Sequence, residues 1–151
     1  MSASAGFTLA ELLLVMGIIG ILSTTIILNG LGYRNRQLLD GAAQQMAASI
    51  RDAQNRAITQ QDGLAWGIYF NNVSTTDSYT VFSGGSYATS ANRFVTSFDS
   101  PLTFTVPAPG TTTSIVFAQI SGLPSTSTSV TITNGITSTT ITISANGQVQ
   151  F

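Results

Sequence analysis

From Phe7 to Leu28 the chain reads FTLAELLLVMGIIGILSTTIIL, with Glu11 as its single ionisable side chain. At ~1.5 Å rise per residue, a helix of that length spans roughly the ~30 Å of a bilayer's hydrocarbon core. A segment apolar on every side has to be covered all round, so it predicts a membrane-inserted helix rather than one face of a soluble domain. A cleaved secretory signal is a poor fit. Such a signal places its small-residue cleavage site after an apolar core of about 7 to 15 residues, whereas here the small residues from Met1 to Gly6 come before it. Cleavage after Gly6 leaves the whole apolar run on the mature chain.

Glu11 is then the anomaly. An ionised carboxylate at the bilayer centre costs about 2.5 to 3.5 kcal/mol, and less toward the interface. It can lie at headgroup level and assist the helix N-terminus through the macrodipole, or it can have a cationic partner. Cleavage after Gly6 would create one, the ammonium of a new N-terminal Phe7. Neighbouring helices packed out of register could bring that ammonium to another subunit's Glu11.

Gly6-Phe7-Thr8-Leu9-Ala10-Glu11-Leu12, followed by apolar chain to Leu22, resembles the class III leader and assembly helix of type IV pilins and type II secretion pseudopilins. The resemblance implies cutting after Gly6 by a membrane-embedded prepilin peptidase, N-methylation of Phe7, and docking through Glu11. It also implies other pilin or pseudopilin subunits and an assembly platform as partners, with the lipid bilayer as host before assembly. Two features depart from the family. Met-Ser-Ala-Ser-Ala-Gly carries no Lys or Arg, and Arg34 and Arg36 beyond the helix would by charge alone favour the opposite orientation; the motif takes precedence, with the β-rich part extracytoplasmic. No proline interrupts the helix either, so Asn29, Gly30 and Gly32 mark its weakest stretch, glycine costing about 1 kcal/mol against alanine.

Helical periodicity resumes at Leu39, Ala43, Met46, Ile50, Ala53 and Ala57. This stripe predicts packing on a following sheet, with a coiled-coil seam as the alternative. Asp52 and Arg56 form an i,i+4 surface pair, and Gln60-Gln61-Asp62-Gly63 supplies a stop. After Gly63 the composition shifts to Thr, Ser, Gly, Val and Ile. Trp66, Ile68 and Phe70 continue an alternation begun at Leu64, and further strands are expected at 78–83, 93–98, 102–106, 114–118, 130–133, 139–144 and 148–151, with turns at Asn134-Gly135 and Asn146-Gly147. The Ser/Thr runs at 111–114 and 125–129 read as solvated loops or carriers of glycans.

The expected fold is therefore α+β. It comprises a leader (1–6), a transmembrane and assembly helix (7–31), an amphipathic continuation (32–62) packed on a small antiparallel sheet, and a β-rich domain (63–151). Gly122-Leu123-Pro124 and Ser144-Ala145-Asn146-Gly147-Gln148-Val149 look like the GspH/FimT type of minor pilin or pseudopilin.

Charge and residue chemistry narrow the function classes. Five basic and six acidic side chains, with no Lys, His or Cys, supply neither a tuned general base nor a thiolate metal site, so no enzyme activity, cofactor or metal is expected. Asp77 and Asp99 read as solvated loop carboxylates, with Ca²⁺ binding as the alternative; Asn72-Val73-Ser74 is a glycosylation triplet with no assigned role. Arg93 is the sole basic residue after Arg56, which argues against nucleic acid as a partner. Two alternatives stand beside the structural-subunit reading: a DNA-binding minor pilin for natural transformation, and an unprocessed single-pass protein with an adhesive or sensory domain.

Overall fold

The computed structural model describes residues 8–151, and over residues 24–32 the backbone alone. The first element among the described residues is α1 (Leu9–Ile58), whose helical backbone runs unbroken through the Asn29-Gly30-Gly32 stretch expected to be weakest. Residues up to Asn35 and residues 36–151 form separate compact units.

In the second unit the predicted helical stripe is core. Leu39, Ala43, Met46, Ile50, Ala53 and Ala57 are all buried, and Ala47 joins them. The stripe packs on the chain's own strands within one apolar cluster, so the coiled-coil alternative is not needed to explain it. Alanines at four of these seven positions let the helix backbone come close to the sheets, while Met46 and Ile50 supply the volume. The stop is earlier than expected. Gln60, not Gly63, takes the left-handed conformation after the helix (φ 52°), and Gly63 (φ 66°) closes the following 3₁₀ turn, Gln61–Gly63.

Eight strands follow: β1 (Trp66–Asn71), β2 (Ser78–Ser83), β3 (Arg93–Ser97), β4 (Thr103–Val106), β5 (Thr112–Phe117), β6 (Thr128–Thr133), β7 (Ser138–Ile143) and β8 (Val149–Gln150). They form two antiparallel four-stranded sheets, ordered β3-β2-β1-β5 and β4-β6-β7-β8. Each predicted strand is present within a few residues of its expected bounds, but the Ser/Thr runs need correction. Thr112–Ser114 lie in β5, and Thr128 and Ser129 open β6. Threonine is β-branched and suits a pleated surface; its polarity decides which face it takes, not whether the strand forms.

Alternation sets what faces the core. Trp66, Ile68 and Phe70 of β1, Ile115 and Phe117 of β5, Val130 and Ile132 of β6, and Ile141 and Ile143 of β7 belong to the shared cluster. The sheets meet through aromatic contacts: Phe70 on Phe104 edge-on at 5.9 Å, Phe104 on Phe98 at 4.9 Å, and Phe98 on Tyr79 at 5.9 Å. On the other face of the first sheet, Phe82 lies over Gly67, where a Cβ would meet its ring.

Candidate functional site

The site the sequence points to is the start of α1. Gly6 and Phe7 lie outside the described residues; Glu11 is in the first turn of the helix. Thr8 immediately precedes that turn. Its Oγ1 accepts the Glu11 backbone N–H at 3.3 Å, and its carbonyl accepts the Leu12 N–H at 3.2 Å. Thr8 is thus the N-cap, using its hydroxyl for one of the N–H groups that a helix leaves without an acceptor. Sequence reasoning passed over this role, although Thr8-Leu9-Ala10-Glu11 has the Ser/Thr-x-x-Glu pattern of a capping box.

Beyond the cap the surface is apolar on every side. From Leu9 to Leu22 the large hydrophobic side chains are 41 to 79% exposed, and the Ser23 hydroxyl is turned back onto the Ile19 carbonyl at 2.7 Å. A soluble helix hides one stripe of this kind; this one displays the full circumference, a surface suited to lipid or to other apolar helices. Among the described residues no helix is long and apolar enough to cross a membrane. The described side chains of this stretch end at Ser23, whereas the apolar run continues to Leu28.

At the far end of α1 two loops are clamped to the helix. Gln54 Nε2 donates to the carbonyls of Gly122 (3.0 Å) and Gly147 (3.2 Å), and Arg51 donates to the Val149 carbonyl at 2.9 Å. Gly122 (φ 62°) and Gly147 (φ 83°) both adopt conformations that side chains disfavour, and a Cβ on either would strike the helix: Ile58 in the first case, Gln54 in the second. The two glycine motifs singled out in the sequence are therefore the receptors of one glutamine. Gln54 and Arg51 carried no signal of their own, since nothing in a helical Gln reveals that loops far along the chain will meet it.

This geometry sets a test. Gly147→Ala is expected to destabilise residues 36–151 by about 3 kcal/mol, combining left-handed strain of about 1 to 2 with the loss of a part-buried hydrogen bond. Gly135 has the same φ of 83° with open space around it. Gly135→Ala should cost only the strain. Urea unfolding of the two variants side by side isolates the clamp as their difference.

Other candidates resolve as structure. Asp77, expected in a solvated loop, is buried: its carboxylate accepts the Phe104 N–H and its carbonyl accepts the Phe98 N–H at 2.9 Å. Asn72 is buried beside β4 and its Nδ2 donates to the carbonyls of Phe104 (3.1 Å) and Pro107 (2.7 Å). The nitrogen a glycan would need is committed to the fold. Both groups join β1–β2 chain to β4, because a segment entering the core there would otherwise leave backbone groups unpaired. Asp99 is exposed, and no group of three metal-ligating side chains occurs among the described residues.

Arg93 and Arg56 are also engaged. Arg93 donates to Ser90 Oγ (2.7 Å) and to the carbonyls of Tyr87 (2.7 Å) and Ala88 (3.3 Å), and its guanidinium lies 4.4 Å from the Tyr87 ring, which itself stacks on Tyr69. It organises the β2–β3 loop over the sheet's outer face. Arg56 pairs with Asp52 at 2.7 Å, as expected, and in addition lies over Trp66 and Phe94 at 4.9 and 5.3 Å. A cation held this way is a packing element of the sheet edge.

A family model for the prokaryotic N-terminal methylation motif matches residues 1–27, and one for the type II transport protein GspH matches residues 42–147. The second span contains Gln54, Gly122 and Gly147. No curated protein and no solved structure matches the chain.

Proposed function

This chain belongs to the GspH family of type II transport proteins and is a pilin-like structural subunit, and from that premise we propose how it is processed and assembled. The precursor sits in the cytoplasmic membrane as a single-pass protein with its β domain extracytoplasmic. Prepilin peptidase hydrolyses the Gly6–Phe7 bond: one water is added, leaving a carboxylate on Gly6 and an ammonium on Phe7; after losing a proton, that amine takes a methyl group from a sulfonium-type methyl donor, which leaves as the thioether. The subunit leaves the bilayer by exchanging lipid for the helices of its neighbours. On this reading residues 1–6 are the leader, 7–31 the anchor and assembly segment, 32–62 the amphipathic half of the helix, and 63–151 the pilin domain.

The observation that carries the proposal is the described start of α1, apolar around its whole circumference from Leu9 to Leu22 with Glu11 as the one ionisable group. Such a surface requires a cover, and lipid and helices are interchangeable covers because lipid tails are as apolar as leucine. What distinguishes one helical neighbour from another is then the polar group, so Glu11 sets register by meeting the neighbour's Phe7 ammonium. The implied partners are other pilin or pseudopilin subunits and, in the membrane, the peptidase and the assembly platform.

Intact-mass and N-terminal peptide analysis of the protein from its native membrane tests the processing step. The expected product begins at Phe7 and carries one N-methyl group. Recovery of a chain still beginning at Met1 from assembled material would overturn it.

A further inference from the structure

Three of the four edge strands of the two sheets are closed. On β5 the Val116 carbonyl accepts the Ser125 N–H at 2.8 Å, and just past the strand the Ala118 N–H reaches the Leu123 carbonyl at 2.9 Å. On β4 the Phe104 N–H goes to the Asp77 carboxylate and its carbonyl to Asn72. β8 is two residues long, and its Val149 carbonyl is taken by Arg51. Among the described residues β3 alone has no such cover. At the two ends of its ladder with β2, the Phe98 N–H bonds to the Asp77 carbonyl and the Asn92 carbonyl accepts the Ser83 N–H. Antiparallel bonding alternates along a strand, so the backbone groups of Phe94 and Thr96 face β2. Those of Arg93, Val95 and Ser97 point outward, with no partner among the described residues. Side chains do not blunt this edge either. Residues 93–97 contain no Pro, Lys, Asp or Glu, and the Arg93 guanidinium is bound to the β2–β3 loop. An open edge of this kind is a template for a further strand.

We propose that the occupant is β3 of a second copy of this chain, paired antiparallel about a two-fold axis at Val95. Aligning Val95 with Val95, Arg93 with Ser97 and Phe94 with Thr96 is the one antiparallel register that pairs every outward group on both strands. It sets no like charges opposite each other. At ~3.4 Å per residue the two arginines lie about 14 Å apart along the pair, beyond the ~8 Å Debye length. The same register brings Phe94 of each copy, 52% exposed, beside Thr96 of the other, on the sheet face that carries the core. There a cavity of about 290 Å³ is lined by Thr96 together with Leu38, Ala42, Gln45 and Phe98. Each copy therefore offers an exposed ring and a recess to receive one, the reciprocity that an isologous interface requires. Such a pair closes on itself and cannot propagate. It covers the edge of a subunit outside a filament, and is distinct from the proposed assembly through α1.

A pairing of one short strand a side is smaller than a standard interface of ~1,600 Å², so a dissociation constant on the order of tens of micromolar is expected. Sedimentation equilibrium of the full chain in detergent micelles measures it. Val95→Lys sets two cations directly opposite each other and should weaken the pair about tenfold, as should Phe94→Ala, which empties the recess. Both side chains are more than half exposed, and circular dichroism checks that the variants keep the fold. Thiols read the register. The chain has no cysteine, so an introduced one is its only thiol. Under mild oxidation Val95→Cys should cross-link to its counterpart across the axis. Ser97→Cys, opposite Arg93 and about 14 Å from its own counterpart, should not. A wild type that stays monomeric at ~1 mM leaves the edge to a strand of another protein, and the self-pairing is wrong. A dimer indifferent to Val95→Lys and Phe94→Ala is held elsewhere, as by the apolar helix, and equal cross-linking at 95 and 97 marks chance collision or another register; either result overturns the pairing. None of these readings depends on cleavage after Gly6.

Discussion

Glu11→Val is expected to reduce recovery of assembled filaments by about a hundredfold while leaving the precursor abundant and its β domain folded. The size of the loss is the informative part. If Glu11 serves only the helix N-terminus, its contribution is the macrodipole term of about 0.3 to 1 kcal/mol, a few-fold effect. If it meets a neighbour's Phe7 ammonium inside an apolar helix bundle, removing it leaves a buried charge without a partner, at about 3 to 5 kcal/mol. A hundredfold change corresponds to about 2.8 kcal/mol, which the dipole cannot supply. Glu11→Gln separates the terms further, since it keeps hydrogen-bonding capacity without the charge and should remain strongly impaired. Filament pelleting, with circular dichroism of the domain as a control, reads both variants; a loss of only a few-fold would assign Glu11 to its own helix.

The second large effect is in the core. Phe70→Ala should cost about 4 kcal/mol, the middle of the range for truncating a fully buried phenylalanine, and lower the melting temperature of residues 36–151 by roughly 15 °C. Phe70 is 0% exposed and meets Phe104 edge-on at 5.9 Å, so its removal opens a void where the first sheet meets β4. The neighbouring strands are held by backbone ladders and cannot close that void without moving both sheets. Phe94 provides the contrast: it is 52% exposed on edge strand β3, and Phe94→Ala should cost under about 1 kcal/mol. Thermal unfolding of the pair checks the expectation, and equal losses would show that the aromatic contacts between the sheets do not carry the stability assigned to them.

Much of this fold can be read from residue order because the signals are local. The helical stripe from Leu39 to Ala57 is buried at each expected position, and the two Asn-Gly turns connect the strands they were expected to connect. Side-chain periodicity and turn chemistry depend on neighbours in the chain, so a linear reading reaches them. Gly6, Phe7 and Glu11 are candidates through the resemblance of their motif to the type IV pilin leader, and the structure describes only the last of them.

Where local reading went astray, distance along the chain is the reason. Nothing beside Asp77 in the sequence can pair with it, so it reads there as a solvated carboxylate; its partner is the Phe104 N–H, delivered by a different sheet. Arg93 offered a charge count, and only its bonds to Ser90, Tyr87 and Ala88 show that the cation is spent on a loop. Gly122 and Gly147 were legible as turn glycines, but not as two halves of one contact with Gln54.

The apolar segment with its single carboxylate follows from residue order, since which side chains require cover is a property of the residues themselves. Which polar groups are satisfied, and by what, belongs to the tertiary structure, because a hydrogen bond between residues tens of positions apart exists only after the chain has closed the distance between them. Thr8 stands at the meeting point. Its pattern with Glu11 was present in the sequence, and the bond that gives the pattern a meaning became visible only in the folded helix.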